Sequence, residues 1–335
     1  MTAELTTRTI AADAGAAEMA ARCLQAGGLV AFPTETVYGL GADAGNGEAI
    51  ARLYAAKGRP AFNPLIAHVG DIATARKLAV LDAVAERLAS AFWPGPLTLV
   101  LPKSRDCRVA DLATAGLDTI ALRVPAHPAA RLILTSFGGP IVAPSANRSG
   151  HVSPTTAAHV LADLRGRIDL IIGGGPAPLG VESTIVACLG APELLRPGSV
   201  PRGAIEKILG QALVVREPDS LAGDDAALAP GMLASHYAPK ARLRLEATDI
   251  DADEAVLAFG PDAPQLAQRA RKILNLSARG DLVEAAANLF SHLRALDTAG
   301  AKTIAVMPVP REGLGEAIND RLARAAAPRL QPGKR

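Results

Sequence analysis

The sequence predicts an α/β protein with two domains, and three observations lead to that prediction. The chain has 335 residues, about twice the usual length of one domain. Hydrophobic residues make up 49% of the chain and charged residues 20%, which is enough apolar material for a folded core. Short helix and strand patterns alternate on both sides of one aperiodic segment, residues 211–240.

In the first 210 residues, helices are predicted where apolar residues recur every three or four positions between capping signals. The clearest case has Asn46 as a possible N-cap and Gly58 just beyond the end of the helix. Strands are predicted in short apolar runs between turn residues. The helices are expected at 14–26, 47–57, 71–78 and 82–92, and the strands at 29–32, 64–69, 97–101, 119–124, 141–143, 170–172 and 183–188.

Residues 211–240 are rich in Ala, Gly, Asp and Pro and lack periodicity, so they are interpreted as an interdomain linker. Beyond them the alternating pattern resumes over about ninety-five residues, enough for a small βαβ-type domain at 241–335. Its strands are expected at 243–245, 255–259 and 303–307, and its helices at 282–295 and 315–327.

Composition argues against several classes of protein. The formal net charge is +2 and aromatic residues make up 3%, so there is no electrostatic or stacking signature of stable nucleic-acid binding. The three cysteines form no CxxC pair, and the six histidines show no zinc-ligand spacing, so no metal site is predicted. No signal peptide or long apolar run is visible. We therefore expect a soluble cytoplasmic protein without a membrane segment.

The glycine-rich stretch at 39–44 fits the dinucleotide-binding pattern G-x-G-x-x-G/A. The preceding strand, however, stops at Pro33, and no acidic residue stands about 20 positions further on to hold a ribose. A dinucleotide site is therefore disfavoured. The phosphate-binding pattern G-x-x-x-x-G-K-[ST] does not occur in the sequence.

Two segments carry polar side chains two residues apart: Lys57 with Arg59, and Ser145 with Asn147. In extended chain such residues face the same side, so each pair could meet one oxyanion. A solvated helix end and a polar turn are the ordinary alternatives. Arg123 lies within an apolar strand, which is costly unless the guanidinium meets an anion.

These segments together resemble one family, because several long motifs occur in the right order. The motifs are FPTETVYGLGADA at 32–44, KGRPAFNPLIAHV at 57–69, WPGPLTLVL at 93–101, AGLDTIALRVPAHP at 115–128, PIVAPSANRSGHVSPT at 140–155, GVESTIV at 180–186, LRPGSV at 195–200 and PGMLASHYAPK at 230–240. The chain is similar to the threonylcarbamoyl-AMP synthases of the two-domain form. The resemblance implies a twisted mixed sheet in a YrdC-like catalytic domain (1–210), a linker or lid (211–240) and a smaller Rossmann-like α/β C-terminal domain (241–335).

The resemblance also implies the reaction. L-threonine, bicarbonate or CO2, and ATP give threonylcarbamoyl-adenylate and pyrophosphate, with Mg²⁺ travelling on the ATP. The product would pass to the machinery that modifies tRNA with threonylcarbamoyladenosine. Because every intermediate is anionic, cationic positioning should dominate catalysis. A cover over the site would protect the labile carbamate and anhydride from water, and the linker is the candidate cover.

Residue roles follow from the same resemblance. Lys57, Arg59, Ser145 and Asn147 are the expected catalytic residues. The nucleotide positions are Lys57, Arg59, Asn63, Thr119, Ser145, Asn147, Ser153, Arg196 and Tyr237, and the threonine positions are Thr36, His68, Arg123, Ala143 and Ser183.

Two other functions stay open. A related domain could simply bind double-stranded RNA, which requires a basic face. Alternatively, the chain could be a carbamoyltransferase that uses carbamoyl phosphate, although such proteins normally carry zinc fingers and this sequence has no cysteine cluster.

Overall fold

The computed structural model describes residues 5–215, 237–261 and 270–327. The segment interpreted as a linker therefore lies mostly outside the described residues, and so do Ser235 and His236. In the described part of the chain, no helix is long and apolar enough to cross a membrane.

A large mixed sheet forms the first unit, with strand order β1-β8-β2-β3-β7-β4-β6-β5-β9-β10-β11. The strands are β1 Arg8–Ala11, β2 Val30–Phe32, β3 Gly39–Asp43, β4 Ile66–His68, β5 Leu97–Pro102, β6 Thr119–Arg123, β7 Ile141–Val142, β8 Leu170–Gly173, β9 Thr184–Ala187, β10 Glu193–Arg196 and β11 Val214–Val215. The sheet contains both parallel and antiparallel strand pairs, which confirms the predicted mixed α/β class.

Helices cover the sheet unevenly. They are α1 Ala14–Gln25, α2 Gly47–Lys57, α3 Ile72–Leu78, α4 Ala83–Phe92, α5 Pro128–Phe137, α6 Ala157–Leu164 and α7 Arg202–Leu209. One face carries the main core, to which α2, α3, α4, α6 and α7 contribute, while α1 and α5 pack on the other face. Over β4, β6, β5 and β9 that second face bears only a small apolar cluster whose buried members all come from strands. This sparsely covered region is where a ligand can approach the sheet.

The predicted helices are confirmed to within a residue or two, because local caps determine where they begin and end. The Asn46 side chain accepts hydrogen bonds from the backbone N–H of Glu48 and Ala49, and Gly58 ends α2 in the left-handed conformation (φ 61°). Asp71 and Asp82 cap α3 and α4 in the same way. Each cap satisfies backbone donors that a helix leaves unpaired in its first turn.

Several elements were not anticipated. The glycine-rich stretch is strand β3 rather than a phosphate loop. A Cβ on Gly41 would lie 2.8 Å from the Phe32 ring and 3.1 Å from the Val30 carbonyl oxygen, so glycine permits close strand packing there. Strand β11 pairs with β10, so the large sheet extends into the first residues of the segment interpreted as a linker. The other unanticipated elements are β1, β10, α5, α6, α7, a short 3-10 helix at Asp111–Thr114 and a strand at Lys272–Asn275.

The second unit is a parallel four-stranded sheet with strand order β12-β15-β13-β14. The strands are β12 Arg242–Arg244, β13 Ala255–Ala258, β14 Lys272–Asn275 and β15 Thr303–Val306, and the helices are α8 Leu282–Asp297 and α9 Leu314–Ala326. Its core also includes Val37, Val152 and Val181 of the first unit and Tyr237. The two units therefore share buried apolar surface.

Candidate functional site

A small open cleft lies over the sparsely covered region of the large sheet. Residues of the first unit line it, together with Tyr237 at the junction with the second unit. The lining residues are Thr36, Val37, Arg59, Ile66, Arg123, Ala143, Pro144, Ser145, Glu182, Ser183, Arg196 and Tyr237. Eight of the sequence-predicted ligand residues therefore meet around one cavity, together with Glu182, which was not predicted.

Two buried polar residues lie side by side at one end of the cleft. The parallel register of β4 and β6 pairs His68 with Arg123, both at the carboxyl ends of their strands. The Arg123 guanidinium donates hydrogen bonds to the Thr36 hydroxyl (3.0 Å) and the Gly95 carbonyl (3.2 Å). It also lies 2.7 Å from a Glu35 carboxylate oxygen, an ion pair without ideal hydrogen-bond geometry. Arg123 is thus held rigidly, with its charge partly balanced by Glu35.

Burial governs ionisation at this end of the cleft. Burial, with the neighbouring Arg123 cation, lowers the pKa of His68 to about 3, so the imidazole is neutral at physiological pH. Burial alone would raise the pKa of Glu35, but Arg123 outweighs it and the pKa is lowered. Arg123 and a neutral imidazole therefore lie side by side at this end of the two strands.

Lys57 and Arg59 do not form the extended pair that their spacing predicted. Gly58 turns the chain at the end of α2, and the Lys57 ammonium donates hydrogen bonds to the carbonyls of Ser145 and Asn147, both at 2.5 Å. Lys57 is only 2% exposed. Its ammonium therefore fixes the 145–147 loop from behind, while Arg59 reaches the cleft.

The Ser145–Asn147 pair differs from expectation in the same way. Ser145 lines the cleft, but Asn147 is buried and its amide donates to the carbonyls of Arg148 and His151. Asn147 therefore shapes the loop that carries Ser145.

Arg59, Asn63 and Thr119 lie at the opposite end of β4 and β6. Arg59 donates to the carbonyls of Asn63 and Pro64, and burial lowers the pKa of Arg59 to about 10, so it remains a cation. The register that pairs Ile66 with Ala121 brings Thr119 next to this turn. Thr119 and Arg123 are four residue steps apart along β6, which corresponds to roughly 13 Å.

Some predicted site residues keep buried polar atoms without a hydrogen-bond partner among the described residues: His68 Nδ1, Asn63 Oδ1 and Asn147 Oδ1. Leaving such an atom unpaired in a protein interior costs about 1–3 kcal/mol. A polar ligand would relieve that cost.

Ala143, Ser183 and Arg196 complete the rim. The Ala143 N–H donates to the Ile66 carbonyl (3.0 Å), so its carbonyl oxygen is the backbone group that it can offer to a ligand. Arg196 donates to the carbonyl and the hydroxyl of Ser183, and the Ser183 hydroxyl shares a 2.7 Å hydrogen bond with Thr98. These contacts fix Arg196 at the cleft wall.

Ser153 and Tyr237 connect the cleft to the second unit. The Ser153 hydroxyl donates to Glu182 at 2.5 Å, and the other Glu182 oxygen accepts from Arg321 of α9 at 2.8 Å. Tyr237 lines the cleft, stacks on Phe290 at 5.4 Å, and has the Arg321 guanidinium 5.3 Å above its ring. Sequence reasoning missed Glu182 and Arg321, since a glutamate and an arginine 139 residues apart carry no shared local signal.

The arrangement suits an anionic ligand with one carboxylate-like end. Arg59, Arg123 and Arg196 converge on the cleft, which among the described lining residues has Glu182 as its acid. The described residues contain no group of three or more His, Cys, Asp or Glu that could hold a metal ion. Such a site can bind and orient phosphates or carboxylates, but it offers no protein cage for a cation.

Two protein-family models match the chain. The model of the Sua5, YciO and YrdC proteins, described as "Telomere recombination", matches residues 22–198. The model described as "Threonylcarbamoyl-AMP synthase, C-terminal domain" matches residues 200–327.

Two related proteins and one solved structure are similar to this chain over nearly its full length. The threonylcarbamoyl-AMP synthase of Pyrococcus abyssi is 43% identical, over 93% of this chain and 94% of that protein. The Bacillus subtilis enzyme of the same name is 39% identical, over 93% of each chain. The crystal structure of P. abyssi Sua5 complexed with L-threonine superposes with a TM-score of 0.83 at 38% identity, covering 96% of this chain and 97% of that one.

Proposed function

This chain belongs to the threonylcarbamoyl-AMP synthase family, and from that premise we propose how its cleft performs the reaction. The protein is an enzyme that uses ATP to form an adenylate. The observation that carries the proposal is the convergence of Arg59, Arg123 and Arg196 on one cleft that also exposes Ser145 and Ser183.

The carboxyl ends of β4 and β6 form the threonine subsite. Arg123 binds the threonine carboxylate, since its guanidinium is fixed by Thr36 and Gly95 and carries a full charge in a buried site. Neutral His68 and the Thr36 and Ser183 hydroxyls orient the ammonium and the side-chain hydroxyl. The related P. abyssi Sua5 structure contains L-threonine, which supports threonine as the ligand.

The remaining groups form the nucleotide subsite. Arg59 and Arg196 bind the phosphates, Ser145 donates to them, and Asn63 and Thr119 contact the nucleotide beyond. Ser153 and Tyr237 close the side of the cleft formed with the second unit. Lys57 and Asn147 act by holding the 145–147 loop, because their polar groups already bond to that loop.

The chemistry needs positioning more than covalent assistance. The threonine amine combines with CO2 to give a carbamate anion, releasing a proton. A carbamate oxygen then attacks the α-phosphorus of ATP, the bond to the β-phosphate oxygen breaks, and pyrophosphate leaves with the electron pair. Fixed cations around the cleft stabilise the charge that builds on the α-phosphate oxygens.

Mg²⁺ fits this site only as a companion of ATP. Mg²⁺ prefers oxygen ligands and usually binds through substrate phosphates and a few carboxylates. Glu182 is already engaged by Ser153 and Arg321, so the ion would be held mainly by the triphosphate. Bound there, it would neutralise phosphate charge.

The product is a mixed anhydride that reacts with water, so we expect it to pass promptly to the enzymes that transfer threonylcarbamoyl to tRNA. Stable binding of RNA by this chain is not part of the proposal. A cytoplasmic location, where ATP and tRNA meet, stays a prediction.

The test measures pyrophosphate release from ATP by the full-length protein. Release should require both threonine and bicarbonate, with a matching threonylcarbamoyl-adenylate detected by mass spectrometry. Pyrophosphate release that does not depend on threonine, or that is not accompanied by formation of the adenylate, would overturn the proposal. Activity with carbamoyl phosphate in place of threonine and bicarbonate would favour the carbamoyltransferase alternative.

A further inference from the structure

Glu182 poses an electrostatic problem for a cleft that binds triphosphate. Its carboxylate is 7% exposed and lines the cavity where three arginines converge. A buried carboxylate is costly to desolvate, and it would repel any anion that binds beside it. The charge must therefore be neutralised by neighbouring groups before ATP can bind well.

Arg321 of the second unit supplies that neutralisation. Its side chain is 0% exposed, and its Nε donates to Glu182 at 2.8 Å. Its two other nitrogens donate to Asp320 (2.5 Å) and the Pro197 carbonyl (3.0 Å), which fixes the plane of the guanidinium. Burial alone would raise the pKa of Glu182, but Arg321 and Arg196 outweigh it and the pKa is lowered. Glu182 is thus an anion held by a cation from the other unit.

The same arginine also supports the Tyr237 wall of the cleft. Tyr237 is buried in a left-handed backbone conformation (φ 63°), which costs free energy for a residue with a side chain. The Phe290 ring, which stacks on the Tyr237 ring, and the Arg321 guanidinium, which lies over it, hold it there. One residue of α9 therefore contacts two lining residues of the cleft.

We propose that Arg321 is a positioning residue for the ATP subsite: it cancels the charge of Glu182, so that the second unit completes the anion-binding wall of a cleft built mainly by the first. This inference rests on the proposed function. In it the C-terminal domain contributes directly to ATP affinity and leaves the threonine subsite, built around Arg123, unchanged.

The experiment compares four full-length proteins by calorimetric titration with α,β-methylene-ATP, which cannot release pyrophosphate, in the presence of Mg²⁺ and threonine. They are the wild type, Arg321→Met, Glu182→Gln and the double variant. Methionine keeps the bulk of the side chain and can still pack on the Tyr237 ring. Arg311→Met is the matched control, since Arg311 is an exposed arginine of the same unit paired with exposed Glu246.

Arg321→Met should weaken analogue binding about 10- to 100-fold, the effect of one uncompensated like charge within about 10 Å at an effective dielectric constant near 20. Threonine affinity should stay within about threefold. In the double variant both charges of the pair are absent, so the net charge beside the ligand equals that of the wild type and analogue affinity should return to the wild-type value. Arg311→Met should match the wild type.

An Arg321→Met variant that binds the analogue like the wild type would refute the inference, and so would a double variant as weak as Arg321→Met. If Arg321→Met does not fold, the comparison of the double variant with the wild type decides, since tenfold weaker binding by the double variant contradicts action through Glu182. A wild type that does not bind the analogue would count against the proposed function instead.

Discussion

Replacing Arg123 tests the threonine subsite most directly, because its loss has two separable consequences. Arg123→Met removes the cation that balances Glu35, whose side chain is buried at the same end of the cleft. Removing one partner of a buried ion pair typically costs about 3–5 kcal/mol. In a domain of the size of the first unit, that lowers the melting temperature by roughly 6–20 °C.

Ligand binding should fall for a different reason. A charge-assisted hydrogen bond is worth about 1.5–3 kcal/mol, and a fork of two such bonds to the threonine carboxylate is worth roughly twice that. The threonine dissociation constant should therefore rise by about 10² to 10⁴. Calorimetry with threonine, in the presence of α,β-methylene-ATP, measures this change.

The double variant Arg123→Met/Glu35→Gln separates the two effects. Without the orphaned carboxylate it should recover most of the lost melting temperature, while threonine binding stays weak. Glu35→Gln alone is the control for the amide. Threonine affinity within tenfold of the wild type in the double variant would refute the assignment of Arg123, and an unchanged melting temperature in Arg123→Met would refute the account of Glu35.

Three other predictions concern the surroundings of the cleft. Lys57→Met should abolish most activity and also lower the free energy of unfolding by about 2 kcal/mol or more, because two charge-assisted hydrogen bonds to the 145–147 loop are lost. A urea-unfolding curve that matches that of the wild type would contradict this prediction. Gly180→Ala should loosen the contact between the units and raise protease sensitivity at their junction, since Gly180 has φ +72° and a Cβ there would lie 2.3 Å from the Ala286 carbonyl oxygen. The control Gly210→Ala has a similar φ (+70°) but open space, so equal effects of the two substitutions would refute the packing argument. The pKa of His68 is about 3 in the folded protein and near 6.5 in the unfolded chain, so between these values the unfolded chain binds one more proton. The free energy of unfolding should therefore fall by about 1.4 kcal/mol for each pH unit as the pH drops from about 6.5 to about 3. In urea unfolding measured across this pH range, His68→Gln should reduce that slope, and an unchanged slope would contradict the prediction.

Elements with strong local signals could be predicted from the sequence. Helix α2 begins and ends at residues whose side chain or backbone preference requires it, Asn46 and Gly58. Helix α5 carried a comparable signal, with Pro128 in its first turn and Gly138 in the left-handed conformation just after its end, so closer attention to capping would have found it.

Strand β3 could not be predicted from local sequence signals. Its glycines matched a loop motif, and the reason for glycine at position 41 is the closeness of Phe32 and Val30 on the neighbouring strand. That is a tertiary contact, which local sequence does not encode. The same limit applies to Lys57: the spacing of Lys57 and Arg59 suggested a pair near the surface, whereas packing buries the Lys57 ammonium against a loop 88 residues away.

The positions of the site residues suggest why the second unit remains attached to an enzyme whose predicted ligand groups, apart from Tyr237, lie in the first. Tyr237 and Glu182 line the cleft while contacting Phe290 and Arg321, and Arg294 of α8 pairs with Asp163 across the same junction (3.0 Å). A ligand that contacts Tyr237 and Glu182 therefore binds more tightly when the two units are docked. By linkage, that ligand must stabilise the docked arrangement by the same free energy. Under the proposed function the nucleotide cross-links the two units, and substitutions at the junction should change ATP affinity before they change threonine affinity.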